Sequence, residues 1–272
     1  MSAAPVSSLL RQVAAIARDA AAAILTVYAQ EFEVQRKADH SPVTDADLAA
    51  QRVIVAGLDA LDEKLPVLSE ESRIAPWSER QRWPRYWLVD PLDGTREFVK
   101  RNGEFTVNIA LIDGHQPVLG VVLAPVTGDL YAAEQGGGAW RQESADAVWT
   151  SIATRAIAEP PVVAGSRSHG SHGAALLREL LGEDFLETPM GSSLKFCLLA
   201  RGTADVYLRR GATSEWDTAA AQCVLEAAGG AVLDLAGQPL RYNRKDSLLN
   251  PEFLAVGDTA IDWTARLRAA DV

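Results

Sequence analysis

Two aspartates in the middle of the chain have the type and spacing that most clearly indicate chemistry. Asp90 and Asp93 follow the apolar run 87–89 and lie three residues apart. This run predicts a buried strand, so both carboxylates are expected at the mouth of a buried sheet. Two carboxylates about 4 Å apart repel each other by about 4 kcal/mol at an effective dielectric constant of about 20. We therefore predict a divalent cation at this position, with Gly94 and Thr95 forming a phosphate-binding turn.

Further acids stand at the ends of other predicted elements. Glu70 follows a short apolar strand at 66–69, and strands that end in acids commonly converge at one edge of a sheet. Asp217 opens an Ala-rich helix and, taken alone, is a helix N-terminal acid. Thr44 and Asp47 have the spacing of a capping box, which by itself explains Asp47. Carboxylate ligands favour Mg²⁺, whereas the four histidines stand in no paired motif that would indicate zinc.

The elements that must position these acids divide the chain near residue 150. Residues 1–150 are predicted to form an α+β half, in which two helices precede strands that Gly and Pro separate, as in an antiparallel meander. The glycines at 136–138 indicate a tight hairpin. A glycine-rich phosphate loop would be followed by a helix, and none is predicted after these residues. Residues 151–272 alternate strands with helices, which is typical of a layered α/β half.

The predicted strands lie at 66–69, 87–89, 106–112, 118–124, 129–133, 139–140, 162–164, near 185, 204–208, 231–235 and 253–256. The predicted helices lie at 6–30, 44–63, 171–181, 192–201, 218–228 and from 260, and 77–85 is predicted to be a loop or a short helix.

Composition restricts the class of protein. The formal net charge of −10 argues against a surface that coats nucleic acid. The two cysteines, Cys197 and Cys223, lie among apolar neighbours and are expected to be buried thiols of a reducing cytosol. We find neither a signal-peptide pattern nor an apolar stretch of about 20 residues that could span a membrane. A cytoplasmic enzyme or binding protein is therefore expected.

Three motifs, taken together, resemble a known family. They are Leu68-Ser69-Glu70-Glu71-Ser72, Trp87-Leu88-Val89-Asp90-Pro91-Leu92-Asp93-Gly94-Thr95 and Trp216-Asp217-Thr218-Ala219-Ala220. They resemble the inositol monophosphatase-like superfamily of Mg²⁺-dependent, lithium-sensitive phosphomonoesterases. Within it the chain looks most like the 3′(2′),5′-bisphosphate nucleotidases of the CysQ type, through segments 96–106, 166–169 and 248–251 and through 191–197 with its lysine at 195. The resemblance implies a layered αβαβα sugar-phosphatase-like fold.

The resemblance also implies a role for each site residue. The metal ligands would be Glu70, Asp90, the Leu92 carbonyl, Asp93 and Asp217, which would hold two or three Mg²⁺ ions. The catalytic residues would be Glu70 and the pair Asp47 and Thr95, which would orient and deprotonate the attacking water. The substrate contacts would be Glu70, Leu92, Asp93, Gly94, Thr95, Arg167, Ser192, Ser193, Lys195 and Asp217. Helix capping and ordinary surface polarity explain Arg167, Ser192, Ser193 and Lys195 equally well, and capping competes with catalysis as the role of Asp47.

The implied reaction is in-line attack of metal-activated water on the 3′-phosphate of adenosine 3′,5′-bisphosphate, which gives AMP and phosphate. The sulfated nucleotide is a second candidate substrate, and the enzyme would clear a by-product of sulfate assimilation. The alternatives are an inositol or sugar phosphate phosphatase with the same metals, and a non-catalytic module that senses nucleotide. The expected partner is a small nucleotide bisphosphate, without nucleic acid or an inserted membrane segment. The family also allows a homodimer and peripheral association with the cytoplasmic face of the inner membrane.

Overall fold

The chain folds into helices and strands that alternate in layers. The structure is a computed structural model that describes residues 6–31, 34–36, 42–166 and 173–270. The helices are α1 (Ser8–Tyr28), α2 (Asp45–Asp59), α3 (Trp77–Arg80), α4 (Thr95–Val99), α5 (Ala174–Leu181), α6 (Leu194–Ala200), α7 (Glu215–Ala227) and α8 (Trp263–Ala269). The strands are β1 (Val34–Arg36), β2 (Pro42–Thr44), β3 (Val67–Ser69), β4 (Arg85–Asp93), β5 (Thr106–Asp113), β6 (Gln116–Leu123), β7 (Leu130–Glu134), β8 (Gly138–Gln142), β9 (Thr150–Ile152), β10 (Val162–Ser166), β11 (Leu186–Met190), β12 (Val206–Arg209), β13 (Ala231–Asp234) and β14 (Phe253–Val256).

A seven-stranded sheet carries most of the first half, in the order β3-β4-β5-β6-β7-β8-β9. β3 is parallel to β4, and every later neighbour is antiparallel, which confirms the predicted meander. A five-stranded sheet in the order β11-β10-β12-β14-β13 carries the second half. In it β10 is parallel to both of its neighbours, whereas β14 is antiparallel to both of its own. β1 and β2 form a separate antiparallel pair.

Alternating side chains of β4 show how the layers are built. Trp87 and Val89 point to one face of the larger sheet, where they join the buried residues of α1 and α2. Tyr86 and Leu88 point to the other face, where they join the buried residues of α6 and α7. Because side chains of a strand alternate between faces, a strand buried on both sides must be apolar throughout. This explains the continuous apolar run that precedes Asp90.

The smaller sheet is buried on both faces in the same way. Tyr207 and Phe253 face α6 and α7, whereas Val206 and Leu254 join the buried residues of α5 and α8. The order of layers is therefore α1 and α2, the larger sheet, α6 and α7, the smaller sheet, and α5 and α8. This arrangement confirms the predicted αβαβα fold class.

Helix α7 lies directly on the larger sheet because of a glycine. A Cβ atom at Gly120 of β6 would stand 2.3 Å from the backbone carbonyl oxygen of Ala220 and 2.8 Å from the Cβ of Cys223. Any side chain larger than hydrogen at residue 120 would therefore push the helix away from the sheet. This close approach sets the height of α7, which carries Asp217, above the strands that carry the other acids.

Several predicted elements differ in detail. Helix α7 begins at Glu215, not at residue 218, because Ser214 is its N-cap. The short edge strand β9 was not predicted, and the strand predicted near 185 lies at Leu186–Met190. Residues 171–172 of a predicted helix lie outside the described residues. The division near residue 150 stays a prediction; the larger sheet ends at Ile152.

Among the described helices, none is long and apolar enough to cross a membrane.

Candidate active site

A strand, a turn and a helix form the centre of the site. Strand β4 continues through the acidic motif, and its pairing with β5 shifts register between Asp90 and Asp93. Gly94 then takes a φ of 92°, a left-handed conformation that glycine adopts without strain. Helix α4 begins at the next residue, Thr95. The bulge and the turn together bring all four of these residues to the wall of one cleft of about 310 Å³.

Three carboxylates converge in this cleft. One carboxylate oxygen from each of Asp90, Asp93 and Asp217 lies within 4.8 Å of the others. Asp217 reaches the cluster from the first turn of α7, where its Oδ2 also accepts a 2.9 Å hydrogen bond from the backbone N–H of Ser214. Glu70 follows β3 and lines the same cleft, where its carboxyl group is hydrogen-bonded with that of Asp90. The structure therefore brings together the four acids that the sequence singled out.

Burial destabilises the charged form of the carboxylates in this cluster. It raises the pKa of Asp90 well above its ordinary value, and the charges of Glu70, Asp93 and Asp217 raise it further. Burial is also the main cause of the raised pKa of Asp217, followed by the charge of Asp93. Buried like charges of this kind are relieved by protons or by a cation. The backbone carbonyl of Leu92 adds an oxygen donor at the cleft, and its contact with the Thr95 hydroxyl is long, at 3.5 Å. This donor set of carboxylate and carbonyl oxygens fits a hard divalent cation.

Asp47 uses its two carboxylate oxygens for two purposes. Its Oδ2 accepts hydrogen bonds of 2.7 Å from the backbone N–H and from the hydroxyl of Thr44, which completes the predicted capping box at the start of α2. Its Oδ1 faces the hydroxyl of Thr95 at 3.4 Å. Burial raises the pKa of Asp47 to about 6, and the hydrogen bonds from Thr44 act against this rise. Capping and a site role therefore do not compete, because each takes a different oxygen.

Ser193 links the segments that carry two of the acids. Its backbone N–H donates to Asp93 Oδ2 at 2.7 Å, and its hydroxyl lies 2.8 Å from the same oxygen and 2.8 Å from the backbone carbonyl of Asp217. The side-chain amide of Asn108 donates to the same hydroxyl at 2.9 Å. Ser193 is buried, so it holds Asp93 from inside the protein. Its predicted role as a substrate contact stays a prediction.

The other predicted substrate residues lie on one wall of the cleft. Lys195 is buried, and its ammonium donates to the backbone carbonyls of Met190 at 3.2 Å and Ser192 at 2.6 Å. Burial lowers the pKa of Lys195 to about 8, although the charge of Asp93 acts against this. Ser192 lines the same wall with a φ of 46°. Arg167 lies outside the described residues.

The cleft also includes residues that sequence reasoning missed as site residues. Two cations, Arg96 and Arg209, line it together with Thr213 and the aromatic side chains of Phe196, Tyr207 and Phe253. Arg96 directly follows Thr95 of the predicted phosphate-binding turn, and this position in the sequence could have indicated it as a site residue. Arg209 is the last residue of β12, and ligands of α/β sheets often bind beyond the ends of strands. No sequence motif marks Arg209, so only the strand order could have indicated it.

Comparisons with known proteins point to one family. The model of the inositol monophosphatase family matches residues 6–265. A relative from Escherichia coli strain K12, a 3′(2′),5′-bisphosphate nucleotidase CysQ, is 52% identical over 247 residues, which cover 90% of this chain and 98% of the relative. The protein of that name from Haemophilus influenzae is 36% identical and covers 94% of this chain and 95% of its own length.

Solved structures give the same result. The crystal structure of CysQ from Bacteroides thetaiotaomicron, a bacterial member of the inositol monophosphatase family, superposes with a TM-score of 0.80 at 39% sequence identity. The superposition covers 92% of this chain and 97% of that one. An IMPase from Thermotoga maritima superposes with a TM-score of 0.79 at 22% identity over 97% of this chain and 98% of its own, which shows the shared fold.

Proposed function

Because the chain belongs to the inositol monophosphatase family, we propose that it is a Mg²⁺-dependent 3′(2′),5′-bisphosphate nucleotidase. It hydrolyses the 3′-phosphate of adenosine 3′,5′-bisphosphate and releases AMP and phosphate. The observation that carries the phosphatase activity is the convergence of Asp90, Asp93 and Asp217 beside the Asp47–Thr95 pair. The choice of substrate is supported by a relative of that name at 52% identity.

Glu70, Asp90, Asp93, Asp217 and the Leu92 carbonyl are proposed to hold two or three Mg²⁺ ions. When bound, these ions would stabilise the charge of the phosphate, activate the nucleophile and stabilise the leaving oxygen. The protein contributes a fixed arrangement of oxygen donors, because the ligands lie within elements of the fold or directly after one. Glu70 follows β3, whereas β4 and α7 supply the three aspartates, and Ser193 restrains Asp93 by two contacts to one oxygen.

Asp47 and Thr95 are proposed to position the attacking water and to accept its proton. The Thr95 hydroxyl donates towards Asp47 Oδ1, so its oxygen can accept a hydrogen bond from a water molecule. A general base works best with a pKa near the working pH. The pKa of about 6 for Asp47 leaves it ionised at neutral pH but still able to take up a proton.

The remaining contacts are proposed for the phosphates and the nucleoside. The backbone N–H groups of Gly94 and Thr95 stand at the start of α4 and would bind the scissile phosphate. Ser192 and Lys195 line the same cleft, where Lys195 keeps a third N–H for a substrate oxygen beside the two given to backbone carbonyls. Arg167 is proposed from the sequence alone.

A phosphate-release assay on a substrate panel tests the proposal. Purified protein with Mg²⁺ is given adenosine 3′,5′-bisphosphate, the sulfated nucleotide, inositol 1-phosphate and a sugar phosphate, each with and without lithium. We expect the highest kcat/KM for adenosine 3′,5′-bisphosphate, inhibition by lithium and no activity after removal of the metal. A preference for inositol 1-phosphate would replace the proposal with an inositol phosphatase. Release of no phosphate from any ester would leave only a nucleotide-binding role.

Two further expectations from the resemblance concern assembly. A homodimer and a peripheral association with the cytoplasmic face of the inner membrane are both predictions from the family. Gel filtration with light scattering tests the dimer, and cosedimentation with lipid vesicles tests the membrane association. A monomer at assay concentrations, or protein that stays entirely in the supernatant, would overturn the respective prediction.

A further inference from the structure

Glu215 and Asp217 stand on the first turn of α7 but point in different directions. Successive residues of an α-helix are about 100° apart around its axis, so these two side chains are separated by about 200°. Asp217 reaches the acidic cluster and lines the cleft, whereas Glu215 does not line it. Glu215 is nevertheless only 1% exposed. The first turn of α7 therefore presents one carboxylate to the cleft and buries another on its far side.

A buried hydrogen-bond network of three residues holds the carboxylate of Glu215. Its Oε2 accepts a 2.8 Å hydrogen bond from the backbone N–H of Asn243. Asn243 is fully buried and takes a φ of 51°, a left-handed conformation that asparagine tolerates better than most residues. The Oδ1 of Asn243 accepts from Nη1 of Arg80, and its Nδ2 donates to the backbone carbonyl of Arg80, each at 2.6 Å. Asn243 therefore joins Glu215 to Arg80.

Arg80 brings the strands that carry the other acids into this network. It ends α3, in the connection between β3 and β4, and it is only 1% exposed. Its guanidinium also donates to the backbone carbonyls of Lys245, at 3.1 Å, and Asp246. The same connection begins with Glu70, directly after β3, and leads into β4, which carries two of the other acids. The network therefore links the strands of three acids to the helix of the fourth, and it does so outside the cleft, because none of its three residues lines it.

The segment 243–250 also holds the start of α7 through its backbone. The backbone N–H of Glu215 donates to the carbonyl of Leu248 at 2.8 Å, and the side-chain amide of Asn250 donates to the carbonyl of the N-cap residue at 2.7 Å. These contacts fix where the helix begins. The Glu215 side chain adds a restraint on the far side of the turn, so it limits rotation of the turn about the helix axis. Such a rotation would move the Asp217 carboxylate out of the cluster.

We propose that Glu215 is a positioning residue for Asp217: its anchorage to Asn243 fixes the first turn of α7 and thereby raises the affinity of the acidic cluster for a divalent cation. This inference rests on the proposed function, which assigns Mg²⁺ to that cluster. Residues that orient metal ligands commonly contribute about 10- to 100-fold to metal affinity. Glu215 acts through the backbone of the turn and not as a ligand, so an effect near the lower end of that range is expected.

Titration calorimetry of Mg²⁺ into metal-free protein compares three side chains at residue 215. Glu215→Ala removes the hydrogen-bond acceptor and should raise the Kd for Mg²⁺ by about tenfold. Glu215→Gln keeps an oxygen that can accept from the Asn243 N–H, so its Kd should stay within about threefold of the wild-type value. At saturating Mg²⁺ the kcat of Glu215→Ala should lie within about threefold of wild type, because excess metal refills the cluster by mass action.

Arg155→Gln is the matched control for loss of stability. Arg155 donates to both carboxylate oxygens of Asp205, at 2.8 and 3.0 Å, and Asp205 is buried. Asp205 directly precedes β12, whose other end reaches the cleft at Arg209. The variant leaves a buried carboxylate without its cation, so it should lower the melting temperature in EDTA and keep the wild-type Kd for Mg²⁺.

A Glu215→Ala variant that melts lower in EDTA but binds Mg²⁺ as tightly as wild type would overturn the positioning role. Equal losses of affinity in Glu215→Gln and Glu215→Ala would overturn it too, because the hydrogen bond would then not matter. If Glu215→Ala does not fold, Asn243→Gly replaces it, since glycine keeps the φ of 51° without strain and the variant cuts the link to Arg80. It should also raise the Kd for Mg²⁺, and unchanged binding would contradict the proposal. Wild-type protein that binds Mg²⁺ but releases no phosphate from any ester would overturn the proposed function alone, because the calorimetric comparison does not depend on turnover.

Discussion

Ser193 presents both its backbone N–H and its hydroxyl to a single carboxylate oxygen of Asp93, at 2.7 and 2.8 Å. The same hydroxyl lies 2.8 Å from the backbone carbonyl of Asp217. Two acids from distant parts of the chain are therefore aligned through one small, buried side chain. Residues that orient metal ligands in this way commonly contribute 10- to 100-fold to metal affinity.

We expect Ser193→Ala to raise the Mg²⁺ concentration for half-maximal activity by about tenfold, because Asp93 loses one hydrogen bond. Titration calorimetry of Mg²⁺ into metal-free protein should show the same loss. Asn108→Ala acts one residue further from the metal, through the hydroxyl of Ser193, and should have a smaller effect in the same direction. Unchanged Mg²⁺ binding with a raised KM for substrate would favour Ser193 as a substrate contact instead.

Asp93→Asn should abolish most of the activity and spare the fold. Loss of a carboxylate that is proposed to bind metal is expected to lower kcat/KM by at least about 100-fold, the upper end for a residue that only orients a ligand. The metal-free variant should melt no lower than the metal-free wild type, because Asn removes a half-buried carboxylate whose pKa is raised by desolvation. Asp113→Asn is the control, since Asp113 lies in an exposed ion pair with Arg85, which contributes about 1 kcal/mol or less. Turnover of Asp93→Asn at the wild-type rate would exclude the assigned site.

The two roles of Asp47 can be separated at its two partners. Thr44→Ala removes the cap of α2 and should lower the free energy of unfolding by about 1 kcal/mol, while kcat changes by less than about threefold because the Thr44 N–H still holds Oδ2. Thr95→Ala should lower kcat by about 100-fold or more with little change in melting temperature, and Thr95→Ser should restore activity. Circular dichroism melts and the phosphate-release assay measure both. A Thr95→Ala variant with normal kcat would contradict the water-positioning role.

Metal-free protein should become less stable as the pH rises from about 4 to 7. The pKa of Asp47 is raised to about 6 in the folded protein, and those of Asp90 and Asp217 are raised as well. The folded state therefore binds more protons than the unfolded state in this range, so stability is highest at the acidic end and falls as the pH rises. Asp47 alone accounts for a loss on the order of 3 kcal/mol, at 1.36 kcal/mol per pKa unit.

Urea unfolding in EDTA at several pH values measures this loss, and saturating Mg²⁺ at pH 7 should reverse most of it. Asp90→Asn removes one of the buried acids and should flatten the pH dependence of the metal-free protein. Stability that rises between pH 4 and 7 in EDTA would contradict the raised pKa values.

The parts of the fold that the sequence predicted well depend on local signals. The apolar run before Asp90 and the Gly- and Pro-separated strands gave the meander, and the Thr44–Asp47 spacing gave the start of α2. The start of α7 was predicted three residues late because the Ala-rich stretch is a stronger helix signal than the second capping box, formed by Ser214 and Asp217. That signal was present in the sequence. The edge strand β9 has three residues, too few for alternation to be visible.

The site was predictable where one motif held several of its residues. Asp90, Asp93, Gly94 and Thr95 are nearly consecutive, so their grouping required no tertiary information. Arg209 could not be found in this way, because its place at the cleft follows from the order β10-β12-β14 in the smaller sheet. The bridging role of Ser193 was also out of reach, since it depends on a contact between segments 100 residues apart.

Asp47 and Asp217 are each the third residue of a capped helix, and each gives Oδ2 to the N-cap while the other oxygen is left for the site. Fraying of the first turn of either helix would therefore displace one of these two carboxylates. Such end fraying is normally the cheapest local opening of a helix. Here it would also displace an oxygen that is proposed to act in catalysis or metal binding, so a ligand bound in the cleft would restrain both helix ends. Because thermodynamic coupling is reciprocal, intact first turns of α2 and α7 would in return raise the affinity of the cleft for that ligand.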